Sequence, residues 1–206
     1  MDAKETAKIL LDGNALNFNV KEPYTFASGI RSPVYMDCRL LISDVKGRGR
    51  IVDGMVDAVK TLKADSIAAA ASAGIPWGAW VADRLSLPLL YVRQSAKDHG
   101  KGKKVEGKVV KGMTAVVVED LVSTGGSSLA TVESLREEGV KVEDCVSIFT
   151  YEFEEAKESF SKAGVRLHPL SNFPQAVDVA LQKGKLTNEE ADEAKKWNKD
   201  PKRWKI

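Results

Sequence analysis

An α/β fold with a mostly parallel central sheet is predicted from three features of this 206-residue chain. Strand-length apolar runs at 67–71, 88–92, 114–118 and 145–149 are near-continuous, as in strands covered on both faces. Segments with helical spacing lie between them, and strand–helix alternation builds parallel sheets. The two ends break the alternation and belong to something smaller.

The elements follow in order. A short helix opens the chain, and 23–41 reads as extended, with turns at Ser28-Gly29 and Ser32-Pro33. Over 45–62, Val45, Ile51, Val52, Met55, Val56 and Val59 keep near-helical spacing, against the lower propensity of Gly47, Gly49 and Gly54. Helices are also expected at 127–138 and 152–162. Beyond about residue 170 the chain reads as helical, and Thr187-Asn-Glu-Glu190 is a capping box. The Lys-, Arg- and Trp-bearing end, 197–206, reads as an amphipathic tail packed on the domain. No linker interrupts the chain. One domain is expected over 1–206, with a core at about 46–169 and a small subdomain built from about 1–45 and 170–206.

Composition excludes several classes. Lys+Arg of 31 against Asp+Glu of 29 leaves +2, too little charge for a nucleic-acid coat. Two cysteines, Cys38 and Cys145, make no disulfide framework and read as core. Two histidines, His99 and His168, form no metal-binding pair, and His168 reads as structural. The start lacks a signal peptide's basic and apolar regions, and the longest uncharged run, 66–82, is broken by Gly74, Pro76 and Gly78. No nucleic acid, no membrane and a cytoplasmic location are expected.

The chemistry concentrates at 115–128. An apolar strand leads to Glu119 and Asp120. Leu121 and Val122 follow, then a turn of small and hydroxyl residues: Ser123, Thr124, Gly125, Gly126 and Ser127. A helix starts at once. Glycines let the backbone approach a ligand. Free N–H groups at a helix start bind phosphate. The carboxylates repel phosphate, so they address ribose hydroxyls or a cation shared with the ligand. No Walker A loop and no dinucleotide fingerprint compete with this motif. A second segment, 95–108, carries Lys97, Lys101, Lys103, Lys104 and Lys108 with Gly100, Gly102, Gly107 and His99. Such a glycine-broken basic loop after a strand is a candidate lid over a polyanion.

The 115–128 segment resembles the phosphoribosyl-pyrophosphate (PRPP) motif of type I phosphoribosyltransferases. Phe26-Ala-Ser-Gly-Ile-Arg-Ser-Pro-Val-Tyr-Met-Asp37 resembles the N-terminal hood segment of orotate phosphoribosyltransferases, and Val92-Arg-Gln-Ser-Ala-Lys-Asp-His-Gly100 resembles their catalytic loop. The similarity covers nearly the whole chain. It implies the type I phosphoribosyltransferase fold and transfer of ribose 5-phosphate from PRPP to orotate. It also implies Mg²⁺ carried mainly by PRPP rather than by side chains, and a homodimer with active sites shared across its interface.

By the same resemblance, Lys97, with Arg93 and His99 beside it, stabilises the departing pyrophosphate. Glu119 and Asp120 hold the ribose hydroxyls, Ser123 to Ser127 hold the 5-phosphate, and Leu121 and Val122 complete the PRPP-binding set. Ser28, Gly29, Arg31, Tyr35 and Ser123 are the candidate orotate contacts. The 72–77 loop resembles the family's pyrophosphate loop by position. Four residues depart from the family pattern: Ala27, Ala73 and Gln94 where cations are common, and Tyr151 where an arginine can meet the orotate ring. The three missing cations weaken pyrophosphate holding unless Lys101, Lys103 or Lys104 replaces them. Two alternatives remain at this point: a purine-type phosphoribosyltransferase, and a PRPP-sensing regulator without catalysis.

Overall fold

The computed structural model describes residues 1–25, 29–94 and 104–204. Along the chain come α1 (Ala3–Asp12), β1 (Leu16–Phe18), β2 (Tyr24–Thr25), β3 (Arg31–Ser32), β4 (Val34–Met36), a 3-10 helix (Cys38–Ser43) and α2 (Val45–Lys60). Then follow β5 (Ser66–Ala70), α3 (Gly74–Leu85), β6 (Leu89–Val92), β7 (Val105–Glu106), β8 (Thr114–Val122) and α4 (Gly126–Glu137). β9 (Lys141–Thr150), α5 (Glu154–Lys162), β10 (Arg166–Asn172), α6 (Phe173–Gln182) and α7 (Asn188–Lys199) complete the order. Contacts divide the chain into two compact units, one of Met1 with Gly49–Leu170, the other of Asp2–Arg48 with Ser171–Ile206.

The larger unit carries a six-stranded sheet in the order β10-β9-β8-β5-β6-β7. The pairs β5–β6, β5–β8 and β8–β9 are parallel, and β7 returns antiparallel to β6. This is the expected α/β architecture, and its cause is visible in burial. Every residue of β5 is buried, as are Ala115 to Val118 of β8 and Asp144 to Thr150 of β9. A strand covered on both faces needs an apolar run rather than alternation. Gly78 lets α3 lie against β5: a Cβ there would stand 2.8 Å from the Ala69 Cβ. On the α4 side, Val132 and Leu135 join Val117, Val122, Cys145, Ala156 and Phe160 in one apolar cluster.

The smaller unit is held by different means. α1 carries buried Ile9, Leu10 and Leu11, and α6 carries buried Phe173, Val177 and Val179. Phe173 packs at a tilt on Phe18 and Trp197, with ring centroids 6.2 and 5.7 Å apart. The indole of Trp197, in α7, donates to the Arg31 carbonyl at 3.0 Å. The capping box of α7 forms as expected, with Glu190 N–H on Thr187 Oγ1 and Thr187 N–H on Glu190 Oε2.

Two elements differ from the sequence expectation. The strand read as ending at the acid pair continues through it to Val122, because the ten-residue β9 supplies partners: Glu119↔Ser147, Leu121↔Phe149 and Val122↔Thr150. A long neighbouring strand outweighs the poor strand propensity of two acids. The stretch before residue 172 is a strand, β10, although it carries Pro169 and buries only Ser171. It lies at the edge of the sheet, where proline is tolerated.

Candidate active site

The site in the larger unit is built where β8 hands over to α4. Strand pairing carries Glu119 and Asp120 to the carboxyl end of the parallel sheet, the end at which open α/β sheets bind ligands. The two acids differ in setting. Asp120 is partly exposed, and its Oδ1 accepts the Leu121 N–H at 2.8 Å. Glu119 is 5% exposed. Its Oε1 accepts the Asp120 N–H, and its Oε2 accepts the Ser128 hydroxyl, both at 3.2 Å.

Burial first, and the Asp120 carboxylate second, push Glu119 up from the usual 4.5 to about 8. Folding therefore favours the protonated form, and the native state holds a proton that the unfolded chain releases. Between about pH 4.5 and 8 the stability contribution of this group falls as pH rises. Glu119→Gln is expected to flatten that part of the profile. Urea denaturation across the range checks it, and an unchanged slope would place the linkage elsewhere.

The turn after β8 is shaped for an anion. Gly125 adopts φ +86°, a left-handed conformation that suits glycine, and packs on Phe160, whose Cε2 would lie 2.8 Å from a Cβ. As the N-cap of α4 it offers no side-chain acceptor, so no side chain competes for the first N–H groups of the helix. α3 starts in the same way: its N-cap is Ala73, again without a side-chain cap bond. By contrast, Asp2, Asn172 and Thr187 cap α1, α6 and α7. Ser123, Thr124, Gly126 and Ser127 are exposed around the α4 start, while Val122 is buried in the apolar cluster, so any ligand contact from Val122 comes from its backbone.

Arg93, at the end of β6, and Ser127 line one cavity of about 110 Å³, together with Lys104, Thr131 and Ser134. Arg93 reaches Glu106 at 3.5 Å. Of the three replacement lysines, Lys104 is the one that falls within the described residues, and it lines the same cavity as Arg93. Gly74, the first residue of α3, touches the acid strand: a Cβ there would lie 2.7 Å from the Val118 carbonyl oxygen and 3.5 Å from Glu119 Oε1. The 72–77 stretch, whose last four residues open α3, therefore meets the acid pair.

Lys97, His99 and Ser28 lie outside the described residues, as do Lys101 and Lys103. The other candidate orotate contacts from the N-terminal segment belong to the smaller unit. Gly29 has φ +82°, Arg31 is exposed, and Tyr35 is 40% exposed with its ring 5.4 Å from that of Tyr24. Tyr151 is buried, stacked on Phe153 with centroids 5.2 Å apart and edge-on to Phe149. It fills an aromatic cluster where the family pattern has a cation. Two residues of the site lie inside segments the sequence singles out but carry no role there of their own: Ser128 ends the 115–128 segment, and Gly74 belongs to the 72–77 stretch.

A wider cleft of about 610 Å³ lies at the other end of the strands, lined by Lys63, Lys141, Arg166 and His168 with Glu143 and Asp144. Arg166 makes two 2.8 Å bonds to Asp144, and His168 Nε2 is 2.7 Å from the same carboxylate. Part of its wall, Thr61 to Lys63, follows the C-terminus of α2, where the helix dipole disfavours anions. His168 is engaged in this network and has no place at the acid pair.

The family model described as the phosphoribosyl transferase domain matches residues 45–182. An orotate phosphoribosyltransferase of Coxiella burnetii is 45% identical over 204 residues, covering 98% of each chain. The chain belongs to the orotate phosphoribosyltransferase family. Among solved structures, the orotate phosphoribosyltransferase from Aeropyrum pernix superposes with a TM-score of 0.75 at 32% identity, over 88% of this chain and 99% of that one. The UMP synthase of Leishmania donovani superposes with a TM-score of 0.82 at 25% identity; the match covers 95% of this chain and 42% of the larger one. The type I phosphoribosyltransferase fold and the assignment as a transferase expected from the sequence are borne out by these matches.

Proposed function

We propose that this member of the orotate phosphoribosyltransferase family transfers ribose 5-phosphate from PRPP to N1 of orotate, releasing pyrophosphate and forming orotidine 5'-monophosphate. The observation that carries the reading is the acid pair near the end of β8 followed, after a short turn, by an uncapped, glycine-hydroxyl helix start. It occurs in a chain 45% identical over nearly its full length to an orotate phosphoribosyltransferase.

In this reading the C1–pyrophosphate bond breaks as the N1–C1 bond forms, the electron pair leaves with the pyrophosphate, and the proton of orotate N1 passes to water. Positive charge grows on the ribose ring and negative charge on the leaving group. Asp120 and Glu119 hold the ribose hydroxyls, and the Asp120 carboxylate opposes the ring's charge. The N–H groups and hydroxyls of Ser123 to Ser127 hold the 5-phosphate. Arg93, Lys97 and His99 meet the pyrophosphate, and cations that bind the leaving group best in the transition state raise kcat. Lys104, which shares a cavity with Arg93, is positioned to replace one of the cations absent at 27, 73 and 94.

The donor set suits a magnesium ion carried by the substrate. Among the described residues no three His, Cys, Asp or Glu side chains gather into a protein cage, while Asp120 presents a partly exposed carboxylate. Mg²⁺ bound through substrate phosphates and one or two carboxylates is its usual mode. It would neutralise charge on the pyrophosphate. The reading includes a homodimer in which the 95–108 loop serves the neighbouring subunit's site, and a cytoplasmic location. Among the described residues no helix is long and apolar enough to cross a membrane.

The test is a spectrophotometric assay with PRPP, Mg²⁺ and orotate, run beside uracil, hypoxanthine and adenine. Turnover of orotate alone is expected. Turnover of a purine instead would replace the substrate, and binding of PRPP without any turnover would favour a regulator. Within the same reading Arg31 pairs with the orotate carboxylate. Arg31→Ala is expected to raise KM for orotate about tenfold or more, since a charge-assisted hydrogen bond is lost. An unchanged KM would remove Arg31 from the orotate site.

A further inference from the structure

The acid pair is not held by strand pairing alone. The Glu119 carboxyl is fixed from two directions by separate segments. On one side its Oε1 accepts the Asp120 N–H and faces Gly74, where no side chain intervenes. On the other side Ser128, itself 1% exposed, donates its hydroxyl to Oε2 at 3.2 Å. Ser147, across from Glu119 in β9, does not share this work: its buried hydroxyl makes no hydrogen bond among the described residues. Ser128 lies in the first turn of α4, directly after the turn assigned to the 5-phosphate.

We propose that Ser128 is a positioning residue of the transfer reaction, holding the Glu119 carboxyl in one orientation beside the sugar site. The role rests on the phosphoribosyl-transfer reading. Its physics is direct. With one carboxyl oxygen on the Asp120 N–H and the other on the Ser128 hydroxyl, the group keeps one orientation rather than several. A ligand that seats the α4 start also seats the serine that aims Glu119, so phosphate and sugar recognition share one turn of helix.

Ser128→Ala and Ser128→Thr test the proposal. The alanine variant is expected to lower kcat about tenfold, the scale of one lost hydrogen bond, with KM for PRPP within about twofold of the parent. Threonine, which keeps the hydroxyl, is expected to restore kcat. A second readout does not depend on turnover: calorimetric binding of PRPP and urea denaturation of the alanine variant should both match the parent. A kcat like that of the parent would overturn the proposal. So would a loss that threonine does not restore, or one matched by an equal loss of stability, which marks a merely structural serine. No turnover of any base by the parent would fail the transfer reading and this proposal with it, whereas equal turnover by parent and alanine variant would fail the proposal alone. If the alanine variant does not fold, Ser128→Cys, a weaker donor, should give an intermediate kcat, and one equal to the parent's would overturn the proposal.

Discussion

Lys97→Ala is expected to lower kcat by about 10²–10³-fold while changing KM for orotate only slightly. That is the cost of removing one charge-stabilising donor aimed at a group that becomes more negative in the transition state. The residue comes from the resemblance of 92–100 to the family's catalytic loop and lies outside the described residues. The expectation is sharpened by what stands near Arg93. Gln94 and Ala73 supply no charge, and Lys104 is the cation that joins Arg93 in one cavity. With fewer cations than the family pattern, each remaining one carries more of the stabilisation. Pre-steady-state measurement of the forward and reverse reactions separates chemistry from release. A fall of less than about fivefold in the chemical step would give the leaving-group role to Arg93 and Lys104 instead, because one such donor supplies about 10²-fold or more.

Gly74→Ala is the second large effect, and it acts through packing. The added methyl would stand 2.7 Å from the Val118 carbonyl oxygen, a backbone atom locked in the β8 ladder, and 3.5 Å from Glu119 Oε1. Neither neighbour is a flexible side-chain tip, so α3 must shift from β8. Overpacking of this kind costs about 2 kcal/mol, a Tm loss of roughly 4–8 °C for a chain of this size. Activity should fall with it, because the displaced neighbour carries the acid pair. Gly49→Ala is the control: it sits in α2 with nothing within 4 Å of the added methyl, and helix propensity favours alanine. Its Tm is expected to hold or rise. Equal melting of Gly74→Ala and the parent would show that α3 yields at no cost.

The contrast between these two glycines shows where legibility ended. Both sit in stretches the sequence reads as helix or loop, and nothing local separates them. Gly49 faces open space and Gly74 faces a carbonyl more than forty residues away in sequence. The same holds for Ser128: its neighbours in sequence make a helix start, whereas its partner Glu119 lies across the turn on another element. Tyr151 was legible as a departure from the family pattern, but its stacking on Phe153 and its burial were not.

What sequence alone determined was what is contiguous. The apolar runs dictated buried parallel strands, because covered strands need no alternation. The capping box set the start of α7 from four neighbouring residues. The acid pair and the glycine-hydroxyl turn could be recognised together because nine consecutive residues, 119–127, carry them, and the family assignment followed. What only the tertiary structure decided was set by pairing between distant segments. β9 drew β8 past its acids to Val122, and β10 became a strand through its place at the sheet edge. Burial between α3, α4 and β9 then gave the two adjacent carboxyls different settings, one facing outward and one enclosed with its proton. Strand pairing and desolvation depend on partners supplied by the fold, and no local spacing encodes them.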